Sequence, residues 1–152
     1  MAHHQAARIT AALIARDEER VIDDCLASVQ GHVDEIIVVD TGSRDATPDI
    51  VRRRGGRLLH RAWDDDFAAP RNMALDAATG DWILYIDADE RLIVPASLSL
   101  RDELTPRDLA GMLVNFRPKL NYTEYLEIRL FRNDPRIRFS GVIHERIMPH
   151  FR

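Results

Sequence analysis

The chain has 152 residues, enough for one domain with a sizeable core. Apolar residues make up 45% and charged residues 30%, which is typical of a globular protein and excludes a disordered chain. The formal net charge of −4 gives no general footprint for nucleic acid or membrane. A single cysteine, Cys25, excludes an internal disulfide bond and a zinc site built from several cysteines. We expect it to be a free, packed thiol, as suits a reducing cytosol.

Short apolar runs alternate with helical patterns through the first part of the chain. This alternation is typical of parallel βαβ units. We predict strands at residues 9–15, 35–40, 57–60 and 82–86, and helices at residues 18–30, from Thr47 onward, and at residues 67–78. Thr47 is the expected N-cap of the second helix, with Pro48 at its first helical position.

After residue 95 the pattern changes to short strands separated by Pro, Asn and Asp turns, predicted at residues 109–116, 125–131 and 137–143. We therefore expect an α/β fold with a mainly parallel central sheet and a smaller mixed β part at the C-terminal end. Residues 1–8 are expected to be a flexible N-terminus and residues 9–152 a single domain. The chain ends soon after its last candidate site residues, which leaves two interpretations open: a domain truncated at its C-terminus and a natural minimal form.

Acidic residues come directly after three predicted strand ends, at Asp17, Asp40 and Asp87. Ligands of open α/β sheets bind outside the carboxyl ends of the strands, so these carboxylates should converge on one rim. Asp87 and Asp89 can both reach a single divalent cation or its coordinated waters, and hard carboxylate oxygens suit Mg²⁺ or Mn²⁺. Such a metal would neutralise a diphosphate leaving group. The alternative interpretation is a solvated acidic turn.

Asp40 is followed by a glycine and small hydroxyl residues, which let a flat ligand approach the backbone closely. Its carboxylate would accept a hydrogen bond from a base imide or a ribose. The alternative is a turn chosen for its backbone geometry, in which Ser43, Asp45 and Thr47 cap the next helix. For Asp45 and Thr47 we favour the capping interpretation.

Residues 63–72 (WDDDFAAPRN) lead into the third predicted helix. Three consecutive aspartates before a helix stabilise its N-terminus, so at least one of them is expected to be structural. Arg71 lies inside the predicted helix, from which it would reach a base or a phosphate. For Trp63 we favour packing in the core or at the rim over a stacking platform.

His144 and Glu145 stand together late in the chain, where they would supply a metal ligand and a general base. Adjacent residues on a strand point to opposite faces, so both act at one site only if this segment is a loop. A basic stretch precedes them, for which we favour a solvated surface over a site for an anionic ligand. Its members are Arg129, Arg132, Arg136 and Arg138.

With these segments in order, the chain resembles the family 2 glycosyltransferases, which have the GT-A fold, a Rossmann-like nucleotide-binding fold. It is most similar to the bacterial branch that includes lipopolysaccharide-core β-glucosyltransferases. The likeness runs from about residue 9 to residue 146. The matching blocks are ALIARDEERVIDDCLASV, DEIIVVDTGSRDATPDI, WDDDFAAPRNMALDAATGDWILYIDADERL and RLFRNDPRIRFSGVIHERI.

The resemblance implies roles in nucleotide-sugar binding for residues that match the family's motifs. Asp87 and Asp89 match the Asp-x-Asp motif, with Asp87 nearer the ribose and Asp89 on the metal and diphosphate. Asp40 matches the acidic residue that contacts the uracil or ribose, and Arg71 matches the arginine of the Ala-Arg-Asn segment. The block that lines the nucleotide pocket contributes Ala15, Arg16 and Glu18.

The resemblance also implies catalytic residues. Glu145 is the expected base, with Asp66 in reserve, and His144 is the expected third metal ligand beside the Asp-x-Asp pair. Two residues depart from the family's pattern: Asp17 stands where an asparagine is usual, and Pro70 stands where a small residue is usual. Proline is tolerated in the first turn of a helix.

The implied reaction is an inverting, metal-dependent glycosyl transfer. A base deprotonates an acceptor hydroxyl, which attacks the anomeric carbon as a nucleoside diphosphate leaves. The expected donor is a UDP-sugar, the cofactor Mn²⁺ or Mg²⁺, and the acceptor a saccharide or lipid-linked molecule of bacterial cell-envelope polysaccharide synthesis. No nucleic acid is expected as a partner. The expected location is the cytoplasm, with association with the inner face of the membrane and a homo-oligomer as open options.

Three alternatives compete with this interpretation. A P-loop NTPase is discarded, because the sequence contains no G-x-x-x-x-G-K-[ST]. A haloacid-dehalogenase-type phosphatase places its Asp-x-Asp after the first strand, whereas here it follows the fourth. A non-catalytic nucleotide-sugar-binding module, or a truncated and inactive glycosyltransferase fragment with the same fold, stays open.

Overall fold

The computed structural model of the chain describes residues 6–104, 109–118, 123–142 and 145–149. Its elements, in chain order, are β1 (Ile9–Ala15), α1 (Ile22–Gln30), β2 (Glu35–Asp40), α2 (Thr47–Arg53), β3 (Arg57–His60), α3 (Ala68–Ala77), β4 (Trp82–Tyr85), α4 (Leu100–Glu103), β5 (Gly111–Phe116), β6 (Tyr125–Arg132), β7 (Ile137–Ser140) and β8 (Arg146–Pro149). The predicted bounds of β1, β2 and β3 are confirmed. The sequence patterns indicate neither α4 nor β8. None of the helices in the described ranges is both long and apolar enough to cross a membrane.

The main sheet has six strands in the order β3-β2-β1-β4-β6-β5. The first four are parallel to one another, whereas β6 is antiparallel to β4 and β5 is antiparallel to β6. The predicted α/β class with a mainly parallel central sheet is therefore confirmed. One detail differs, because β5 and β6 extend the main sheet, while β7 and β8 pair in a small sheet of their own.

Apolar side chains cover both faces of the main sheet at β1, β2 and β4. Along β1, Ala11 and Leu13 point to one face and Ala12 to the other, as the two-residue period of a strand requires. Ile22 and Leu26 of α1 pack on the first face, and α3 packs on the second. With both faces covered, polar groups that act on a ligand are left at the ends of the strands.

Hydrogen bonds between backbone and side chains connect the loops after β1 and β2. The N–H of Glu18 donates to Thr47 Oγ1 (2.8 Å), and the N–H of Glu19 donates to Asp45 Oδ2 (3.0 Å). In return, the N–H of Ala46 donates to Glu19 Oε2 (3.0 Å). The first helix begins at Ile22, later than predicted, because Glu18 and Glu19 of its expected first turn take part in these hydrogen bonds instead.

The prediction that Thr47 caps α2 is wrong. Thr47 is the first helical residue, and the N-cap residue Ala46 has no side-chain acceptor. Asp45 takes over that task, because its Oδ1 accepts a hydrogen bond from the N–H of Thr47 (2.9 Å). Pro48 is the second residue of the helix, one position later than predicted. The Thr47 hydroxyl is used to hold the neighbouring loop.

Cys25 is a free thiol on the buried face of α1, as predicted. Its Sγ donates to the carbonyl oxygen of Asp87 at 3.4 Å, so α1 touches the turn that follows β4. Burial raises the pKa of the thiol to about 12.

We expect Cys25 to resist alkylation in the folded protein. The thiolate is the reactive form, and at pH 8 a thiol with a pKa of about 12 is almost wholly protonated. Labelling by iodoacetamide, followed by mass spectrometry, should be about 100-fold or more slower in buffer than in a concentration of urea that unfolds the chain. Comparable rates in the two conditions would show that the thiol is accessible.

Gly80 lies against Thr10, and we expect an added methyl group there to strain the fold. A Cβ at Gly80 would be 2.7 Å from Thr10 Oγ1 and 2.8 Å from Thr10 N. The threonine hydroxyl is fixed, since it donates to Glu35 Oε2 and accepts the N–H of Gly80. Gly80→Ala should therefore lower the free energy of unfolding in urea by about 1–3 kcal/mol.

Gly31→Ala is the matched control for this experiment. Nothing lies within 4 Å of a Cβ at Gly31, and its φ of −80° suits any residue. Its effect on the free energy of unfolding should stay below about 1 kcal/mol. Equal losses in the two variants would mean that the contact with Thr10 is not the cause.

Candidate active site

An open cleft of about 460 Å³ lies outside the carboxyl ends of β1, β2 and β4. This is where α/β sheets bind their ligands, and it is the rim on which the sequence places the candidate residues. The side chains that line the cleft are Ile14, Ala15, Arg16, Glu18, Thr41, Trp63, Phe67, Arg71, Asp87, Ala88 and Asp89. Six of the predicted nucleotide-sugar-binding residues are therefore brought together, namely Ala15, Arg16, Glu18, Arg71, Asp87 and Asp89.

Asp17 connects the loop after β1 to the loop after β2 at the edge of the cleft. Its φ of 55° is a left-handed conformation. Its N–H donates to Ser43 Oγ (2.9 Å), and its Oδ1 accepts the N–H of Arg44 (2.7 Å). The unusual aspartate at this position thus has a structural task, since it holds the backbone beside Arg16 and Glu18 in place.

Asp40 is buried at the end of β2, with only 5% of its side chain exposed. Its oxygens accept the N–H groups of Gly42 and Ser43 at 3.2–3.3 Å, and Oδ2 lies 3.4 Å from His60 Nδ1. The carboxylate therefore shapes its own turn, and Thr41 is the residue of that turn that lines the cleft. Contact of Asp40 with a base or a ribose stays a prediction.

Asp87 stands between two arginines just beyond β4. Arg71 Nη2 donates to its Oδ1 at 2.8 Å, and Arg129 Nη1 lies 3.9 Å from its Oδ2. The backbone N–H of Asp87 donates to Glu90 Oε2 (2.9 Å). Both the side chain and the backbone of this residue are thus fixed.

Glu90 and Arg129 support this turn, and neither was predicted from the sequence as a site residue. The two guanidinium NH₂ groups of Arg129 each donate to Glu90 at 2.9 Å, and its Nε donates to Glu127 Oε2 at 2.9 Å. Arg129 also lies over the ring of Tyr85, 4.4 Å from the centroid. Burial is the largest cause of the raised pKa of Glu90, while the N–H of Asp87 and the charge of Arg129 oppose it.

The basic stretch that contains Arg129 pairs with carboxylates and an aromatic ring of this chain. Arg136 pairs with Asp134, and Arg138 pairs with Asp76. Arg132 lies over the ring of Trp82, 4.5 Å from its centroid. The favoured interpretation, a solvated surface, is wrong for Arg129, because only 8% of this residue is exposed. A pattern of spaced arginines looks alike in sequence whether the charges face water or buried partners.

Arg71 connects the turn after β4 to the late part of the chain. It is a buried residue of α3, and its Nε donates to Glu145 Oε1 at 2.8 Å while Nη2 holds Asp87. Its guanidinium lies 5.4 Å from the ring centroids of both Tyr85 and Phe139. The side chain of Glu145 is 15% exposed. Glu145 is thus brought to the Asp-x-Asp turn through a shared arginine, whereas His144 lies outside the described residues.

The three consecutive aspartates before α3 all have structural partners, which confirms the prediction for at least one of them. Asp64 pairs with Arg61, and Asp65 accepts the indole N–H of Trp63. Asp66 Oδ1 accepts the backbone N–H groups of residues 68 and 69 at 2.8 and 3.2 Å, so it caps the helix. Its reserve role as a catalytic base stays a prediction.

Negative charge accumulates on one side of the cleft. Burial raises the pKa of the Glu18 carboxyl, and the charge of Asp89 is the next largest cause. Within the described ranges, no three His, Cys, Asp or Glu side chains are grouped to hold a metal ion by themselves. A Mg²⁺ or Mn²⁺ ion that keeps waters and binds substrate phosphates needs only one or two carboxylates. Asp87 and Asp89 fit a metal of that kind.

We expect Glu90→Gln to destabilise the fold. The amide would replace one of the two oxygens that bind Arg129 and would leave a mostly buried cation without its full counter-charge. Breaking a buried ion pair in this way should cost about 3 kcal/mol in the free energy of unfolding, measured in urea. The control is Glu124→Gln, because the Arg117–Glu124 pair has exposed side chains, at 71% and 52%. That loss should stay below about 1 kcal/mol, and equal losses would contradict the structural importance of Glu90.

Comparison with known proteins places this geometry in a family. Residues 10–95 match the family model described as glycosyl transferase family 2. A TPR repeat-containing protein of Synechococcus elongatus is 49% identical over 141 residues, which cover 91% of this chain and 35% of that protein. The SPbeta prophage-derived glycosyltransferase SunS of Bacillus subtilis is 30% identical over 152 residues, covering 92% of this chain and 35% of SunS. The lipopolysaccharide core biosynthesis glycosyltransferase LpsC of Rhizobium meliloti is 30% identical over 161 residues, covering 93% and 57%.

The chain thus spans about a third of the length of the first two relatives and somewhat more than half of the third. Among solved structures, S. aureus TarS 1-349 superposes with a TM-score of 0.60 at 18% identity, covering 88% of this chain and 50% of that chain. This likeness concerns the fold, and it confirms the GT-A fold expected from the sequence. Because the family model covers more than half of its residues, the chain belongs to glycosyl transferase family 2.

Proposed function

We infer that this chain is the donor-binding and catalytic part of an inverting glycosyltransferase that uses a UDP-sugar and a divalent metal ion. The observation that carries the inference is the Asp-x-Asp turn, which opens on the cleft at the carboxyl end of β4. Asp89 is exposed there, while Asp87 is held by two arginines. The family resemblance assigns this turn to the diphosphate of a nucleotide sugar.

Asp89 is the better candidate for the metal. Both oxygens of Asp87 already face guanidinium groups, at 2.8 and 3.9 Å, so Asp87 is suited to orienting the ribose. Asp89 is exposed and lines the cleft, as Glu18 does, and its charge acts on the Glu18 carboxyl. When bound, Mn²⁺ or Mg²⁺ would supply the positive charge that stabilises the diphosphate leaving group. His144, predicted as a further ligand, remains part of this proposal.

Glu145 is the proposed base. It would remove the proton from an acceptor hydroxyl as the hydroxyl oxygen forms a bond to the anomeric carbon, and the bond from that carbon to the diphosphate oxygen breaks. Arg71 orients Glu145 by the 2.8 Å contact to Oε1 and links it to the Asp-x-Asp turn. Asp66 is less suited to this step, because its Oδ1 caps α3.

A saccharide or lipid-linked acceptor is the proposed second substrate. The support is the relationship to LpsC, whose name places it in lipopolysaccharide core biosynthesis. Since the chain spans little more than half of that protein, the acceptor stays the less defined half of the proposal.

We expect Asp89→Ala to abolish the effect of Mn²⁺ on UDP binding, because it removes the carboxylate proposed to hold the metal. Isothermal titration calorimetry of the purified chain with UDP and Mn²⁺ should show at least about tenfold weaker binding than in the wild type. Without metal, the two proteins should bind UDP alike. Asp49→Ala is the control, since its side chain is 78% exposed on α2 and pairs only locally with Arg52.

Unchanged metal-dependent binding in Asp89→Ala would overturn the metal assignment. A second measurement separates an enzyme from a binding module with the same fold. Release of UDP from UDP-glucose, or transfer to an added saccharide, is expected of an active enzyme. Tight binding of UDP without turnover would instead support the non-catalytic alternative.

A further inference from the structure

The cleft contains an aromatic pair that the proposed chemistry does not use. The rings of Trp63 and Phe67 meet edge to face, with centroids 4.7 Å apart and an interplanar angle of 70°. Both side chains line the cleft, and Phe67 is 39% exposed. An aromatic pair that lines a concave site is a surface suited to a flat or apolar ligand group.

The strand order separates this pair from the acidic turn. Asp87 and Asp89 follow β4, while Trp63 follows β3 at the edge of the sheet, and β1 and β2 lie between them. Neighbouring strands are about 4.8 Å apart, so the acidic turn and the end of β2 are roughly 10 Å apart across the rim. A nucleoside diphosphate with its phosphates at the acidic turn would direct its base along the rim toward the aromatic pair.

The two side chains expected from the sequence to reach the base, Asp40 and Arg71, have partners within the chain. The Asp40 carboxylate accepts the N–H groups of its own turn and is 5% exposed. The Arg71 guanidinium is 10% exposed and is divided between Asp87 and Glu145. The cleft is also lined by Ile14, Ala15 and Thr41, whose small or aliphatic side chains leave room for a ring.

Hydrogen bonds within the chain hold the aromatic pair in place. The indole Nε1 of Trp63 donates to Asp65 Oδ1 at 2.9 Å, and Asp65 has a φ of 61°, a left-handed conformation that is costly for a residue with a side chain. Asp66 fixes the start of α3, and Phe67 is the residue directly before that helix. Strain and hydrogen bonds are thus used to present two aromatic rings to the cleft.

We propose that Trp63 and Phe67 form the stacking platform for the nucleobase of the donor. This proposal rests on the proposed function and deepens it, because it assigns base binding to the loop after β3. The platform recognises the flat face of the base, while the acidic turn and its metal hold the diphosphate.

Intrinsic fluorescence offers a direct test, because the chain has two tryptophans. Trp82 is 0% exposed in the core, whereas Trp63 lines the cleft. With Mg²⁺ as the metal, saturating UDP should quench part of the emission of the wild type. In Trp63→Phe, the remaining emission from Trp82 should not respond to UDP.

Calorimetry with UDP and with inorganic diphosphate, both with Mg²⁺, tests the energetic role. Trp63→Ala removes one stacking contact and should therefore weaken UDP binding about 5- to 150-fold. The affinity for diphosphate should stay the same. Trp63→Phe retains a ring and should bind UDP within roughly threefold of the wild type. Tyr125→Ala removes an aromatic side chain of β6 that is 49% exposed and does not line the cleft, so it should leave both affinities unchanged.

The outcomes that overturn the proposal are separate from failure of the proposed function. If Trp63→Ala binds UDP as the wild type does, or loses UDP and diphosphate affinity equally, the stacking role is wrong while donor binding stands. If the wild type binds neither ligand with Mg²⁺, the proposed function fails and this inference fails with it.

Discussion

The placement of Asp87 between two buried arginines is the interaction on which the rest of the site depends. Arg71 comes from α3 and Arg129 from β6, so the turn after β4 is gripped from both a helix and a neighbouring strand. Desolvating two guanidinium groups is expensive, and the carboxylates of Glu145 and Glu90 offset that cost. The position of the turn that carries the proposed metal ligand therefore depends on this network of charges.

Much of the architecture could be predicted because it follows from local periodicity. The apolar runs that become β1, β2 and β3 have the predicted bounds, and the Asp-x-Asp pair could be placed on the rim because parallel strands end on the same side. The addition of β6 to the β4 edge of the sheet, and of β5 to β6, was not predictable in this way. It depends on which sheet edge is free, and no short-range pattern records that.

The supporting residues of the site were beyond reach for the same reason. Arg129 and Glu90 are 39 residues apart, and Arg71 and Glu145 are 74 apart, so neither pair leaves a spacing signal. Residue type was also ambiguous. The same aspartate can hold a ligand or its own turn, and for Asp40 and Asp65 it is the hydrogen bonds, visible only in the fold, that reveal what each carboxylate touches.

The hydrogen bonds between the loops after β1 and β2 limit how this rim can change over evolution. Side chains of each loop satisfy the backbone of the other, as Asp17 does for Arg44 and Thr47 does for Glu18. A substitution in one loop therefore leaves a backbone N–H group of the other loop without its hydrogen-bond partner. The changes in the free energy of unfolding caused by one substitution in each loop will therefore not be additive. The residues of the two loops are therefore expected to change together, and a chimaera that exchanges one loop between relatives must exchange the other as well.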